Sequence, residues 1–218
     1  MPLLGGWEAD PLWGSFYDWT VEHPRAGGAL WRVGIQSDLG LLYRAAAEIG
    51  RQPAGARVLD VPCGGGVALR GLTPGQGVEY VATDISQRML DRTRARADEL
   101  GVADQVTGQL ADVGDLPFED GSFDLVVSFT GLHCFPDPAR AVVELCRVLR
   151  PGGVLTGSSM TNDAGLRFEP LRRTGRLAGL LGPGCTSGDV RRWLTAQHVE
   201  DVTLELSGAM AYFRGVKA

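Results

Sequence analysis

The chain has 218 residues, enough for one domain with a sizeable core. Its hydrophobic fraction of 44% and charged fraction of 22% are ordinary for a soluble globular protein and exclude a disordered or fibrous class. The net charge of −5 argues against nucleic acid or an anionic membrane surface as the main partner, because both require a basic footprint.

No apolar run approaches the roughly 18 residues that a membrane-crossing helix needs. The N-terminus carries acids and tryptophans where a secretory leader has a basic start and an apolar centre. Cys63, Cys134, Cys146 and Cys185 form no C-x-x-C pair, so they read as reduced thiols and the expected compartment is the cytoplasm, with no metal site. Lys217 is the only lysine against twenty arginines, a bias that points to a GC-rich bacterial genome.

Residues 1–50 hold Trp7, Trp13, Trp19 and Trp31, joined by Phe16 and Tyr17. These rings either pack a helical segment onto the domain or form a lid lining an apolar pocket. Asp38–Gly50 places Leu39, Leu42, Ala46 and Ile49 at helical spacing. Ala56–Val61 then reads as a first strand and Gly64–Leu72 as a short helix closed by Thr73-Pro74-Gly75. Val78–Thr83 is a second strand. Ser86 is placed to cap the helix Gln87–Leu100, which has Met89, Leu90, Ala97 and Leu100 on one face and Gly101 after it.

Val106–Leu110 is a third strand, and the continuous apolar run Phe123–Phe129 is a fourth, buried on both faces. Asp137-Pro138 opens a helix to Arg150, Pro151-Gly152-Gly153 stops it, and Val154–Ser159 is a fifth strand. Leu166–Leu181 reads as a helical insertion rich in arginine and leucine. A helix Val190–Gln197 and strands Val199–Leu206 and Ala209–Val216 follow, joined at Ser207-Gly208 by a hairpin-length turn that makes the last pair antiparallel. The alternation predicts an α/β fold: a Rossmann-like, doubly wound, seven-stranded sheet, mostly parallel with an antiparallel C-terminal strand. One domain spans 1–218, divided into a helical lid (1–50), a cofactor-binding core (51–160), a cap insertion (161–186) and a terminal helix and hairpin (187–218).

Asp60, Asp84 and Asp112 each lie at or just after the carboxyl end of a strand, and in a parallel sheet those ends share one edge. Taken singly, each reads first as a turn or cap residue. Taken with the Gly64-Gly65-Gly66 turn after the first strand, they suggest a nucleoside-binding crevice. Asp84 is placed to accept both ribose hydroxyls, and Asp112 the adenine amine, with the backbone at Val113 addressing the ring. A dinucleotide fingerprint, G-x-G-x-x-G, lacks its third glycine here, and Asp60 would repel a pyrophosphate. No G-x-x-x-x-G-K-[ST] is present. A cationic cofactor without phosphates, S-adenosylmethionine, suits a carboxylate-rich loop.

Val58–Gly66, Tyr80–Ser86, Ala111–Pro117, Asp120–Val127 and Arg147–Leu155 resemble, in order and spacing, the class I S-adenosylmethionine-dependent methyltransferases. The subgroup most similar is the small-molecule type of ubiquinone and menaquinone biosynthesis. The resemblance implies that Asp60, Pro62, Cys63, Gly64 and Gly66 flank the cofactor's methionine part. It implies Asp84 at the ribose, Ile85 and Met89 near the adenine, and Ala111, Asp112 and Val113 at the base. Ser128 and Phe129 would close the far side, and Tyr17 would either cover the cofactor or sit in the core. Pro62 stands where the family has the first glycine of D-x-G-x-G-x-G. Proline fixes φ and lacks an N–H, so a reshaped loop is expected.

The expected function is methyl transfer to a small, apolar or aromatic acceptor by in-line displacement. A base is needed only if the acceptor must lose a proton, and His133 is the candidate; the alternative is a structural or substrate-shaping histidine. Arg167, Arg172, Arg173 and Arg176 on the insertion form either a solvated face or a site for an anionic acceptor. Rival readings are an NAD(P)-dependent oxidoreductase and a non-catalytic S-adenosylmethionine-binding protein. The expected partner is a small-molecule acceptor, with no nucleic acid and no integral membrane association, for a monomer or homodimer.

Overall fold

An interior strand of the sheet is β1 (Arg57–Asp60), with Val58 and Leu59 fully buried. The structure, a computed structural model, describes residues 19–21 and 23–218. β1 pairs in parallel with β2 (Glu79–Asp84) on one side and β4 (Phe123–Phe129) on the other. β3 (Val106–Leu110) lies outside β2, and β5 (Leu149–Met160) lies outside β4, both parallel. β7 (Met210–Lys217) runs antiparallel between β5 and β6 (Val199–Ser207). The order is β3-β2-β1-β4-β5-β7-β6. A turn as short as Gly208-Ala209 can join only antiparallel neighbours, which sets the direction of β7 against β6.

Period-2 alternation sends Val58, Leu125 and Val127 to one face and Leu59 and Val126 to the other. The first face is covered by α1 (Pro24–Gly34), α2 (Leu39–Ala46) and α3 (Gln87–Leu100). The second is covered by α4 (Pro138–Val148) and α6 (Ser187–Ala196), which packs beside α4, while α5 (Glu169–Leu177) is fastened beyond the end of β5 by Arg172, which donates to the Thr161 carbonyl. Burying each such Val or Leu is worth roughly 1.5–3 kcal/mol, so a continuous apolar strand is stable only between two helical layers. No helix among the described residues is long and apolar enough to cross a membrane.

The described N-terminal helices dock against the hairpin. Trp31, Leu39 and Leu42 join the core cluster that includes Met210 and Tyr212. Ser37 Oγ lies 3.1 Å from Tyr212 Oη, and the Ala209 N–H donates to the Ile35 carbonyl at 2.8 Å. Trp7, Trp13, Phe16 and Tyr17 lie outside the described residues.

Four local expectations change. β5 starts at Leu149, before Pro151-Gly152-Gly153: Phe123 pairs with Leu149 and Leu125 with Val154, so the breakers form a bulge inside the strand. Gly64–Leu72 condenses to a 3₁₀ turn, Val67–Gly71, because Gly71 packs so closely on the Ala46 carbonyl that a Cβ would lie 2.0 Å from it. Ser86 occupies the cap position of α3 without a side-chain capping bond; its N–H donates to Asp84 Oδ1 instead. The insertion is a 3₁₀ turn, Leu166–Phe168, followed by the shorter α5.

Candidate active site

The carboxyl ends of β1, β2 and β3 form one edge, and the turn Val61–Gly66 folds over it. Gly64 and Gly66 have φ of +51° and +82°, a region that L side chains rarely enter. The Val61–Pro62 peptide is cis, so the loop departs at Pro62 while both following glycines keep their left-handed turn. The loop is tied down on three sides. The Cys63 N–H donates to the Thr83 carbonyl at 2.9 Å. The Gly64 N–H donates to Asp84 Oδ2 at 3.1 Å, and Thr93 Oγ1 of α3 donates to the Gly64 carbonyl at 2.8 Å.

Asp84 is 7% exposed. Its two oxygens accept one N–H each, from Gly64 and Ser86, and retain further lone pairs. Desolvation raises its pKa, and those backbone bonds oppose the rise. Ile85, next along, is 59% exposed, whereas Met89 is buried. Gly64 has open space where a Cβ would sit. A buried acid, an exposed apolar side chain and an open glycine turn thus lie side by side at this edge.

Asp60 lies deeper, 1% exposed, accepting the Tyr80 hydroxyl at 2.6 Å. Burial pushes its pKa up to about 7, partly offset by that hydrogen bond and reinforced by the nearby Asp84 charge. Cys63 is likewise buried, and desolvation holds its thiol well above the ordinary range, so it remains protonated.

At the end of β3, the Ala111 N–H donates to the Asp84 carbonyl at 3.1 Å, which joins this segment to the β2 end. Asp112 is exposed and turns the chain by accepting the Gly114 N–H at 2.8 Å, and Val113 is buried. Ser128 and Phe129 are buried at the end of β4. A Cβ on Gly131 would lie 2.6 Å from Pro62 Cδ and 2.8 Å from both Ser128 Oγ and Phe135 Cζ, so the β1 and β4 loops meet there.

His133 sits on the other side of the edge, over the end of β5. The Met160 N–H donates to its Nδ1 at 3.0 Å, and its carbonyl accepts the Gly182 N–H at 2.9 Å. Burial lowers the imidazole pKa to about 4, so the ring is neutral near pH 7. Of the insertion arginines, Arg172 is buried: it holds the Thr161 and Gly165 carbonyls and Glu169. Arg176 holds Asn162, Gly182 and Pro183, and Arg167 stacks over Phe168. Only Arg173 of the four is exposed with no partner among the described residues, so the insertion offers no free arginine cluster.

Two residues at this site escape a sequence reading. Thr93 interrupts the apolar face of α3 formed by Met89, Leu90 and Ala97, and that lone polar residue in an apolar stripe is the available signal. Tyr80 has no such signal, because its reach to Asp60 depends on pairing in register with Val58.

The sheet order, with the glycine turn after β1 and acids at or just beyond three strand ends, places the chain in the seven-stranded Rossmann-like class. A family model described as a methyltransferase domain matches residues 59–156. An uncharacterized protein of Mycobacterium tuberculosis is 34% identical over 208 residues, covering 79% of this chain and 73% of that one. A demethylmenaquinone methyltransferase of Clavibacter sepedonicus is 40% identical over 140 residues, covering 64% of this chain and 51% of that one. A solved geranyl diphosphate methyltransferase in complex with S-adenosylmethionine shares the fold, with a TM-score of 0.66 at 17% identity, over 92% of this chain and 95% of that one. Relative to such curated proteins the chain spans from 34% to 73% of their length. The chain belongs to the class I S-adenosylmethionine-dependent methyltransferases. S-adenosylmethionine is the methyl donor of this family.

Proposed function

We propose that the chain transfers a methyl group to a small, apolar or aromatic acceptor by in-line displacement, with Asp84 and the Gly64 turn as the centre of the donor site. The observation that carries the reading is the shared carboxylate: Asp84 holds the Gly64 N–H and still faces the crevice beside exposed Ile85. On this reading Asp84 takes the ribose hydroxyls, Ile85 and Met89 line the adenine, and Ala111, Asp112 and Val113 meet its edge. Pro62, Cys63, Gly64 and Gly66 border the methionine part, and Ser128 and Phe129 close the side toward β4. Tyr17, from the undescribed N-terminus, is proposed to cover the cofactor. Asp60 lies beneath the turn as a buried electrostatic support.

The bound donor supplies a methyl already activated on a sulfonium. The protein's work is therefore to align the acceptor and exclude water. An apolar acceptor suits the β5 side, where the insertion exposes Leu166, Leu171 and Leu177. The similarity to an enzyme named for demethylmenaquinone supports the same class. Calorimetry with S-adenosylhomocysteine and NAD tests the donor site; binding of NAD alone would overturn it. A methyl-transfer screen over phenols, quinones and fatty acids tests the acceptor, and turnover confined to fatty acids would remove the aromatic class.

A further inference from the structure

The side of the edge left over by the donor site is organised by one hydrogen bond. The backbone N–H of Met160 can only donate, so the Nδ1 it reaches at 3.0 Å must be an acceptor. A ring whose Nδ1 carries a lone pair, and which burial keeps neutral, carries its proton on Nε2. Ser159 Oγ, 3.3 Å from the same nitrogen, donates to the Met160 carbonyl at 3.0 Å and so leaves this assignment unopposed. Nε2 has no partner among the described residues, and it is not one of the sealed polar atoms, as Ser128 Oγ is. The backbone of His133 is fixed by the Gly182 N–H bond to its carbonyl, which seats the end of the insertion against it.

Position decides what this free N–H addresses. In the order β3-β2-β1-β4-β5, the acids that mark the donor lie at the ends of β1, β2 and β3. His133 lies over β5, across β4 from the glycine turn. A methyl donor seated at the ends of β1 and β2 would leave this side of the edge to the acceptor.

We propose that His133 is a hydrogen-bond donor through Nε2–H and that the methyl acceptor presents to it a negatively charged oxygen, a phenolate or enolate. This rests on the methyltransferase reading above and narrows its acceptor. The acceptor loses its proton to solvent before reaction. Its electron pair then forms the bond to the methyl carbon while the carbon–sulfur pair stays on sulfur, so the negative and positive charges cancel. No proton passes to His133. A base at this position would need an unprotonated Nε2, and the Met160 N–H prevents that tautomer. The donor instead holds the acceptor in its ionised form and lowers its pKa, so that the nucleophile is already charged when it meets the methyl group.

Two-bond ¹H–¹⁵N correlation spectra of the labelled full chain read the tautomer directly, without any turnover. The expected result is a neutral Nε2–H ring at pH 7; an Nδ1–H ring or an imidazolium would overturn the proposal. The second arm uses 4-nitrophenol, with 4-nitrotoluene as the oxygen-free control, on protein saturated with S-adenosylhomocysteine. The wild type is expected to favour 4-nitrophenolate over 4-nitrotoluene by at least tenfold. His133→Gln, which returns an N–H donor near Nε2, is expected to stay within threefold, and His133→Phe to lose tenfold or more. A wild-type chain that binds S-adenosylhomocysteine but does not prefer the phenolate overturns this proposal alone. A chain that fails to bind S-adenosylhomocysteine overturns the reading beneath it.

Discussion

Asp84 Oδ2 accepts the backbone N–H of Gly64 at 3.1 Å, so one carboxylate is both the end of β2 and the anchor of the β1 turn. A ligand that hydrogen-bonds Asp84 is thereby coupled to the shape of the glycine loop. Asp84→Ala removes the anchor and the ligand's acceptor together. Its affinity for S-adenosylhomocysteine is expected to fall by about 1–3 kcal/mol, the usual loss for hydrogen bonds to a charged group. Calorimetry reads this directly, and an affinity equal to that of the wild type would remove Asp84 from the site.

The Asp60–Tyr80 pair makes stability depend on pH. Asp60 titrates near 7 in the fold against an ordinary value of 3.8, so the folded chain binds its proton more tightly than the unfolded chain. The stabilisation it gives is full below pH 3.8 and is lost as pH rises through about 7. His133 runs the opposite way. Its pKa falls from 6.5 to about 4, so its contribution is present above pH 6.5 and is lost as pH falls through 4. The two trends oppose each other between pH 4 and 6.5. Urea unfolding at pH 5 and pH 8 is expected to separate them. Asp60→Asn should gain stability relative to the wild type at pH 8 by a few kcal/mol at most, since each tenfold change in proton affinity is worth about 1.4 kcal/mol. Tyr80→Phe, which removes the bond that lowers the Asp60 pKa, should move the loss to higher pH. A variant-to-wild-type difference that is the same at both pH values would dissociate Asp60 from the titration.

The sheet was legible in the chain because β1 and β2 are largely apolar runs ended by acids and β4 is a continuous apolar run, and Phe123–Phe129 and the helix Gln87–Leu100 have the bounds their periodicities predict. What periodicity cannot see is long-range pairing. Pro151-Gly152-Gly153 reads as a break because local propensity is all that a sequence window holds, yet pairing of Leu149 with Phe123 carries the strand through it. The site shows the same division. Asp60 and Asp84 were legible as acids at strand ends, and the sheet brings both to the glycine turn. The depth of Asp60, and its Tyr80 partner, depend on register and burial. The hydrogen bond that fixes the tautomer of His133 comes from Met160, 27 residues away on another strand, and no local motif announces it.

Gly131 is where the β1 and β4 loops touch, and it leaves no room for a methyl group. In Gly131→Ala the new carbon would meet Pro62 Cδ at 2.6 Å, with Ser128 Oγ and Phe135 Cζ at 2.8 Å. Three neighbours, from the β1 loop, the end of β4 and the loop after it, must move, so a cost of about 1–3 kcal/mol is expected, as for other overpacked positions. Gly28 supplies the contrast. It lies inside α1, and nothing comes within 4 Å of the place a methyl group would take. Gly28→Ala is expected to stabilise by roughly 0.5–1 kcal/mol, because alanine loses less backbone entropy in a helix. Denaturant midpoints that move the same way for both variants would refute the packing argument.

Arg172 is the clip that fastens the insertion to the end of β5. Its guanidinium donates to the Thr161 and Gly165 carbonyls at 3.2 Å each, and its Nε donates to Glu169 Oε2 at 3.0 Å. The side chain is buried while that of Glu169 is about half exposed, so the ion pair itself is partly screened and the carbonyl bonds dominate. Arg172→Met keeps the buried stem and leaves the Thr161 carbonyl without this donor. A loss of about 1–3 kcal/mol is expected for the unsatisfied groups. Because Arg172 alone ties α5 to the Thr161 and Gly165 carbonyls, while Arg176 holds its other end to Asn162, Gly182 and Pro183, the loss should be local as well as global: proteolysis between residues 165 and 182 should quicken more than elsewhere. Glu169→Gln should be milder, since the carbonyl bonds survive. Arg173→Met, on the exposed side of the same helix, should stay within about 0.5 kcal/mol of the wild type. If Arg173→Met opened the insertion as readily as Arg172→Met, its attachment would rest on general charge and the clip would carry none of it.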